Sequence, residues 1–155
     1  MVELEEIREK YQILKEKYEL PEFEKIDNDL ELDNIDSRFI LREIRRKIVD
    51  KLGRHEKSIE AVLQPDSGLS DMYECQHLPD ERKAELFAIY KRLRYLDRYA
   101  NLVSVQNSEQ GNAEFVKFVY TTLLNLKPEI EAFYKEVKEC WNIEEDTSTV
   151  LEYFG

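Results

Sequence analysis

The stretch "DMYECQHLPDER", residues 71–82, concentrates side chains that could bind a metal or act as a nucleophile. Glu74 and His77 form an E-x-x-H, the spacing that places a carboxylate and an imidazole on one helical face in di-iron and di-manganese bundles. Such sites need a second E-x-x-H, and the other histidine, His55, has Leu52 three positions before it. The sequence therefore lacks the full di-iron pattern.

A zinc site or a Cys–His nucleophilic pair is the second interpretation of this stretch. Glu74, Cys75, His77 and His55 are all acceptable zinc ligands. Cys75 and His77, however, are two positions apart and point in different directions on a helix, and no orienting third group is evident. We therefore interpret Cys75 as a small core residue, Asp71 and Glu74 as helix-capping residues, and His77 as a helix-end residue. We expect no metal, no cofactor and no catalytic residue here, and a hydrogen-bonded core position for His55.

Basic side chains form two clusters that could contact phosphate or an acidic protein. The first occupies about a third of the circumference of one predicted helix, and the second forms a stripe between aromatic residues on the next. The candidate partner-binding residues are Arg38, Arg42, Arg45 and Arg46 in the first cluster and Lys91, Arg94 and Arg98 in the second. Arginine beside an aromatic ring suits phosphate contact, base stacking or an acidic protein partner. Pairing with the chain's own carboxylates is the third alternative.

The charge distribution bears on these alternatives. The net charge is −11, which argues against non-specific attraction to nucleic acid or to an anionic membrane. Residues 1–36 carry 13 acidic and 5 basic side chains, a net charge of −8, whereas residues 37–64 carry 8 basic and 4 acidic side chains, a net of +4. The acidic block could therefore lie over the arginines and mask them from a polyanion.

The composition indicates a helical protein of one domain. The chain has 155 residues, of which 37% are charged and 42% hydrophobic, with 4 Gly and 4 Pro. This combination favours long helices with solvated faces. Cys75 and Cys140 are distant in sequence and are typical of reduced thiols, and no apolar run suits a signal peptide or a membrane span. We expect a cytoplasmic protein that does not bind membranes.

Apolar periodicity predicts the helices that position these residues. We place them at about residues 2–20, 36–64, 79–103, 113–126 and 127–141, with a short helix within residues 71–78 and a strand as the alternative for residues 113–126. Residues 21–36 form an acidic connection with about one helical turn, residues 143–155 form an acidic and then apolar tail, and Gly53 marks a kink or break. The prediction is an all-α, single-domain bundle of about five helices over residues 1–155.

The functional prediction is a non-catalytic helical protein-interaction module, a subunit of a larger cytosolic assembly. An exposed apolar patch on the first helix or in the tail would distinguish it. The alternative is a nucleic-acid-associated protein that binds through the two basic clusters, which the salt dependence of binding would reveal. A metal-dependent enzyme is the third hypothesis. The expected partner is a protein of unknown identity, and a homodimer through the first helix is a further alternative.

Overall fold

The computed structural model describes residues 2–143, with side chains from Leu4 onward. Most of the predicted tail of residues 143–155 lies outside the described residues. The helices are α1 Val2–Tyr18, α2 Phe23–Leu30, α3 Ile40–Leu63, α4 Leu69–His77, α5 Asp80–Gln106 and α6 Glu109–Glu139, and two short 3-10 turns span Leu32–Asn34 and Ser37–Phe39. The all-α class is confirmed, and the helix count of six is close to the predicted five. The strand alternative for residues 113–126 is wrong, because these residues lie within α6.

The chain folds into two compact units. Unit 1 comprises Met1–Arg54 and Arg94–Asn125, and unit 2 comprises His55–Leu93 and Leu126–Gly155. Each unit is discontinuous in sequence, because α3, α5 and α6 each contribute residues to both. One helical domain over residues 1–155 stays a prediction.

In unit 1, α1 packs against α2 and both 3-10 turns. Tyr11 is fully buried and donates a hydrogen bond to the Pro21 carbonyl oxygen at 2.6 Å. The segment of residues 21–36 is more helical than predicted, because Phe23, Ile26 and Leu30 recur at three- and four-residue steps and are all buried. The left-handed backbone of Glu31, with φ of 54°, ends α2.

The helix α3 runs through Gly53, so the predicted alternative of a break there is wrong. The apolar seam predicted for α3 is buried at Ile44, Ile48 and Leu52 in unit 1 and at Ile59 in unit 2. On α5 the predicted seam is buried throughout, from Leu86 to Val103. Burial of one apolar face supplies most of the stability of these helices, because propensity alone supports a helix only weakly in water.

The two helices predicted at 113–126 and 127–141 are one helix, α6, with Pro128 inside it. A proline removes one backbone donor and clashes with the preceding turn, which usually ends a helix. Here Leu126, Ile130 and Phe133 are buried on both sides of Pro128, in unit 2. Their packing maintains the helix through the proline, which corrects the predicted boundary.

Candidate functional site

The "ECQH" stretch lies on α4 in unit 2, where Glu74 and the neighbouring Tyr73 contact the residues that follow α6. The Trp141 indole donates a hydrogen bond from Nε1 to Glu74 Oε2 at 2.8 Å, and its ring lies 4.4 Å from that of Tyr73. The Tyr73 hydroxyl donates to the Cys140 carbonyl oxygen at 2.9 Å. Glu74 therefore serves as an acceptor for the tryptophan.

The capping role predicted for Asp71 and Glu74 is wrong. The helix begins at Leu69 with Gly68 at the N-cap, so Asp71 lies in its first turn and Glu74 further along. Cys75 is half-buried, less than expected of a core residue.

The histidines lie apart from any metal-binding cluster. His77 is exposed, with Nδ1 3.3 Å from the Tyr73 carbonyl oxygen, and His55 is half-buried, with Nδ1 2.8 Å from the Tyr134 hydroxyl. Within residues 2–143 no group of three or more His, Cys, Asp or Glu side chains could hold a metal ion. The structure thus does not gather Glu74, Cys75, His77 and His55 into one site.

The first basic cluster divides into paired and unpaired arginines in unit 1. Arg38 forms a bidentate pair with Asp36, with nitrogen–oxygen distances of 3.1 and 2.9 Å, and it lowers the pKa of Asp36 to about 2. Arg46 pairs with Glu43 at 3.1 Å. In the described part of the chain, neither Arg42 nor Arg45 has a carboxylate within ion-pair distance.

Arg45 is the most deeply buried of the candidate residues, with 6% of its surface exposed. Its Nη1 donates to Asn112 Oδ1 at 3.0 Å, and the Asn112 amide donates in turn to the Ser108 carbonyl oxygen at 2.8 Å. Burial, followed by the positive charges of Arg46 and Arg42, lowers the pKa of the Arg45 guanidinium from its ordinary value. The structure therefore buries a charge that no described carboxylate neutralises.

A cleft of about 650 Å³ opens in unit 1 beside these arginines. Side chains of α1, of residues 37–42 and of residues 107–112 surround it. The guanidinium carbon of Arg42 lies 4.2 Å from the centroid of the Phe39 ring, and the buried Nε of Arg42 has no hydrogen-bond partner among the described residues. We call this space the unit 1 cleft, and Lys10, Ile13, Leu14, Ser37, Arg38, Phe39, Ile40, Leu41, Arg42, Asn107, Ser108, Glu109 and Asn112 line it.

The second basic cluster lies on α5. Arg94, in unit 1, pairs with Asp97 at 3.3 Å. Arg98 in unit 1 and Lys91 in unit 2 are exposed, and neither has a hydrogen bond or an ion pair with another described side chain. Two members of this cluster therefore remain available to another molecule.

Apolar side chains surround Arg98 on the same face of unit 1. Tyr95 and Leu102 are 66% and 56% exposed, and Val105 continues the stripe. Tyr99 joins it to α6, because its ring lies 6.0 Å from that of exposed Phe118. We call this surface the α5 patch, and it consists of Tyr95, Arg98, Tyr99, Leu102, Val105 and Phe118.

The sequence did not reveal which side chains contact each arginine of the first cluster. Phe39 directly follows Arg38, and Ser108 precedes Asn112 by four residues, the spacing of an i to i+4 contact on a helix. These signals are local and weak. The pairing of Arg45 with Asn112 joins residues 67 positions apart, which sequence spacing alone does not reveal.

Comparison with protein-family models, with curated proteins and with solved structures gave no match to this chain. Among the described helices, none has both the length and the apolar character that a membrane span requires.

Proposed function

We propose that the protein is a non-catalytic interaction module that binds a protein partner through the α5 patch. The supporting observation is the exposure of Tyr95, Leu102 and Val105 on one face of a helix whose opposite face is buried. Contiguous exposed apolar surface of this kind marks interaction sites in folded proteins.

The composition of the α5 patch supports the proposal. Tyrosine, phenylalanine and arginine are enriched in protein interfaces, and tyrosine and arginine are frequent among the side chains that dominate binding energy. Tyr99 contacts Phe118 and also Phe115, whose ring lies 5.2 Å away, so this aromatic part of the patch is anchored in the core of unit 1. An anchored ring loses little conformational entropy when a partner binds.

The charge of the patch indicates the chemistry of the partner. Arg98 lies between Tyr95 and Leu102 on the exposed face and is not neutralised by a described carboxylate. A partner that covers these apolar side chains would bury Arg98 at least partly, which is favourable when it supplies a carboxylate at that position. The proposed partner therefore presents an apolar surface with an acidic side chain.

Nucleic acid is the competing ligand for the basic clusters. Arg38, Arg46 and Arg94 each pair with a carboxylate of the chain, so those guanidinium groups are partly neutralised already. Of the unpaired members Arg45 is buried, so Arg42, Lys91 and Arg98 remain. Three groups offer few phosphate contacts, and affinity for DNA or RNA depends on the number of such contacts. The geometry favours a protein partner.

The test is capture of partners from the native cell with the intact protein and with two variants, each changed at a leucine of similar solvent exposure. Leu102→Glu places a charge in the patch, whereas Leu69→Glu changes a side chain of similar exposure, 52%, in unit 2. We expect one stoichiometric partner to be retained by wild type and by Leu69→Glu and to be lost from Leu102→Glu. Circular dichroism must show equal helicity in all three proteins.

Other outcomes identify other ligands. Sedimentation equilibrium of the pure wild type would detect a second copy of this chain on the patch. Retention of the same partner by Leu102→Glu, or capture that disappears on nuclease treatment, would contradict the proposal.

A further inference from the structure

One cationic side chain of the unit 1 cleft forms no ion pair with a described carboxylate, although Asp36 is near enough to interact with it electrostatically. Three cationic side chains line the cleft, and two are paired: Lys10 with Glu6 at 3.0 Å, and Arg38 with Asp36 at 2.9 Å. Arg42 is the third, and no described carboxylate lies within ion-pair distance of it.

Arg42 also makes a cation–π contact. Its guanidinium carbon lies 4.2 Å from the centroid of the Phe39 ring. The Nε of Arg42 is closed to solvent and has no partner among the described residues. A carboxylate or phosphate oxygen in the cleft would therefore accept hydrogen bonds from the terminal nitrogens of the guanidinium.

Arg45 adds a second unneutralised charge close to the cleft. Asn112 lines the cleft and accepts the hydrogen bond of Arg45, so the buried guanidinium is one side chain removed from the open space. A buried charge surrounded by low-dielectric protein is screened less than an exposed one. Three cationic side chains therefore line the cleft with Arg45 close behind them, and the nearby carboxylates are Glu109 in the lining and the paired Glu6 and Asp36.

The rest of the lining combines polar side chains, among them the carboxylate of Glu109, with one apolar portion. Ile13 and Leu14 of α1 line it together with the Phe39 ring. The volume of about 650 Å³ lies in the range of small-molecule sites, roughly 300–1,000 Å³. Apolar walls with a few fixed polar groups are typical of such sites.

We propose that the unit 1 cleft binds a small organic anion, a carboxylate or phosphate group attached to an apolar body. The anionic group contacts Arg42, and the apolar body packs against Ile13 and Leu14. This site is distinct from the α5 patch, and its test does not depend on the proposed protein partner.

The experiment is a nuclear magnetic resonance titration of the intact, isotope-labelled protein with four probes. Phenyl phosphate and phenylacetate combine an anion with an apolar ring, inorganic phosphate has no ring, and benzyl alcohol has no charge. We expect saturable shifts of amides in residues 37–42 and 107–112 with the first two probes, and at least tenfold weaker binding of the other two. The tighter of the two anionic rings identifies the preferred group.

Variants test the role of Arg42 directly. Arg42→Gln should weaken binding of the anionic rings at least tenfold, whereas Lys25→Gln, an equal charge change at an exposed position of unit 1 outside the cleft, should not alter it. Ile13→Glu should also weaken binding, because it adds a negative charge at a wall residue that is 68% exposed and thus outside the core.

Three results would overturn the proposal. These are shifts that do not saturate at the cleft, equal affinity of inorganic phosphate and phenyl phosphate, and undiminished binding by a folded Arg42→Gln protein. Binding of an acidic peptide at the cleft without binding of either anionic ring would assign the cleft to a protein ligand instead.

Discussion

Individual residues in unit 2 show how side chains that resemble metal ligands serve packing. Glu74 accepts a hydrogen bond from Trp141, and Tyr73 contacts both the indole ring and the backbone of Cys140. Each interaction joins α4 to the end of α6. Residue type is therefore a weak guide to chemistry unless several ligands converge.

Replacing Glu74 with Ala should remove the hydrogen bond that the Trp141 indole donates. The loss of one hydrogen bond to a charged, partly exposed acceptor should cost about 1 kcal/mol in the free energy of unfolding, measured by urea denaturation. The emission spectrum of Trp141 should shift, because its indole loses a fixed partner. Asp71→Asn is the control on the same helix, and an equal loss of stability in the control would argue against a specific role for Glu74.

Cys140 provides a prediction about pH. Burial, together with the negative charges of Glu74 and Glu136, raises the pKa of this thiol from 9.0 to about 11, and the thiol donates to the Val137 carbonyl oxygen at 3.0 Å. A raised pKa means that the unfolded chain loses the proton first, so this contribution to stability is complete below pH 9 and is lost as the pH rises towards 11.

Alkylation of Cys140 in a Cys75→Ser background should therefore remain slow at pH 8 and accelerate only well above pH 9. Mass spectrometry of the alkylated protein gives the rate. Rapid reaction at pH 8 in the folded protein would show that the thiolate is already populated there.

At the scale of helices, the predicted elements agree with the structure where a regular apolar seam is buried. The regular seam of α5 was predictable because Leu93 and Leu96 belong to a strict three- and four-residue pattern, and both are buried. The helical content of α2 was underestimated, because eight residues give too few repeats for a clear period. The helix α6 was predicted as two helices, because a proline such as Pro128 usually marks a helix boundary. Which arginine is paired was beyond prediction, since it depends on side-chain positions across the fold.

The substitutions Gly53→Ala and Gly111→Ala should change the free energy of unfolding in opposite directions. A Cβ at Gly53 would have no atom within 4 Å, so Gly53→Ala should stabilise the helix by about 0.5–1 kcal/mol through reduced entropy of the unfolded chain. A Cβ at Gly111 would lie 2.8 Å from Ser108 Oγ, which caps the Gly111 amide. Gly111→Ala should therefore lower the free energy of unfolding. Thermal melts of both variants test the pair, and two changes of the same sign would refute it.

The seam of α5 gives a second prediction at this scale. Leu96→Ala should destabilise by about 2–5 kcal/mol, because the side chain is fully buried. Arg94→Ala should cost about 1 kcal/mol or less, since its pair with Asp97 is partly solvated. Urea unfolding measures both values, and equal losses would mean that the wrong face of α5 has been assigned to the core.

At the scale of the whole molecule, the acidic block of residues 1–36 could mask the arginines of the first cluster. Three carboxylates of the acidic block of residues 1–36 pair with basic residues of the same block: Glu24 with Arg8, Glu6 with Lys10 and Glu22 with Lys15. Asp36 is the member of this block that pairs with the first arginine cluster in the described residues. Masking of the arginines by the acidic block stays a prediction. Removal of residues 1–36 is a poor test of it, because the deletion also removes Ile7 and Phe23 from the core of unit 1.

We expect the intact protein to bind generic DNA or RNA weakly at physiological salt. The net charge of −11 repels a polyanion at long range. The double variant Asp36→Asn and Glu43→Gln frees Arg38 and Arg46 and should strengthen binding, with a steeper salt dependence. Fluorescence anisotropy at several salt concentrations measures both effects. Micromolar binding by the wild type with a steep salt slope would instead favour nucleic acid as the ligand.

The position of Trp141 has a practical consequence for following unfolding. It is the one tryptophan of the chain, and it lies in unit 2 with its indole bonded to Glu74. Excitation selective for tryptophan therefore observes unit 2, whereas far-ultraviolet circular dichroism observes the helices of both units. If the two signals change at the same denaturant concentration, the units unfold as one cooperative system; a difference between their midpoints gives each unit its own stability.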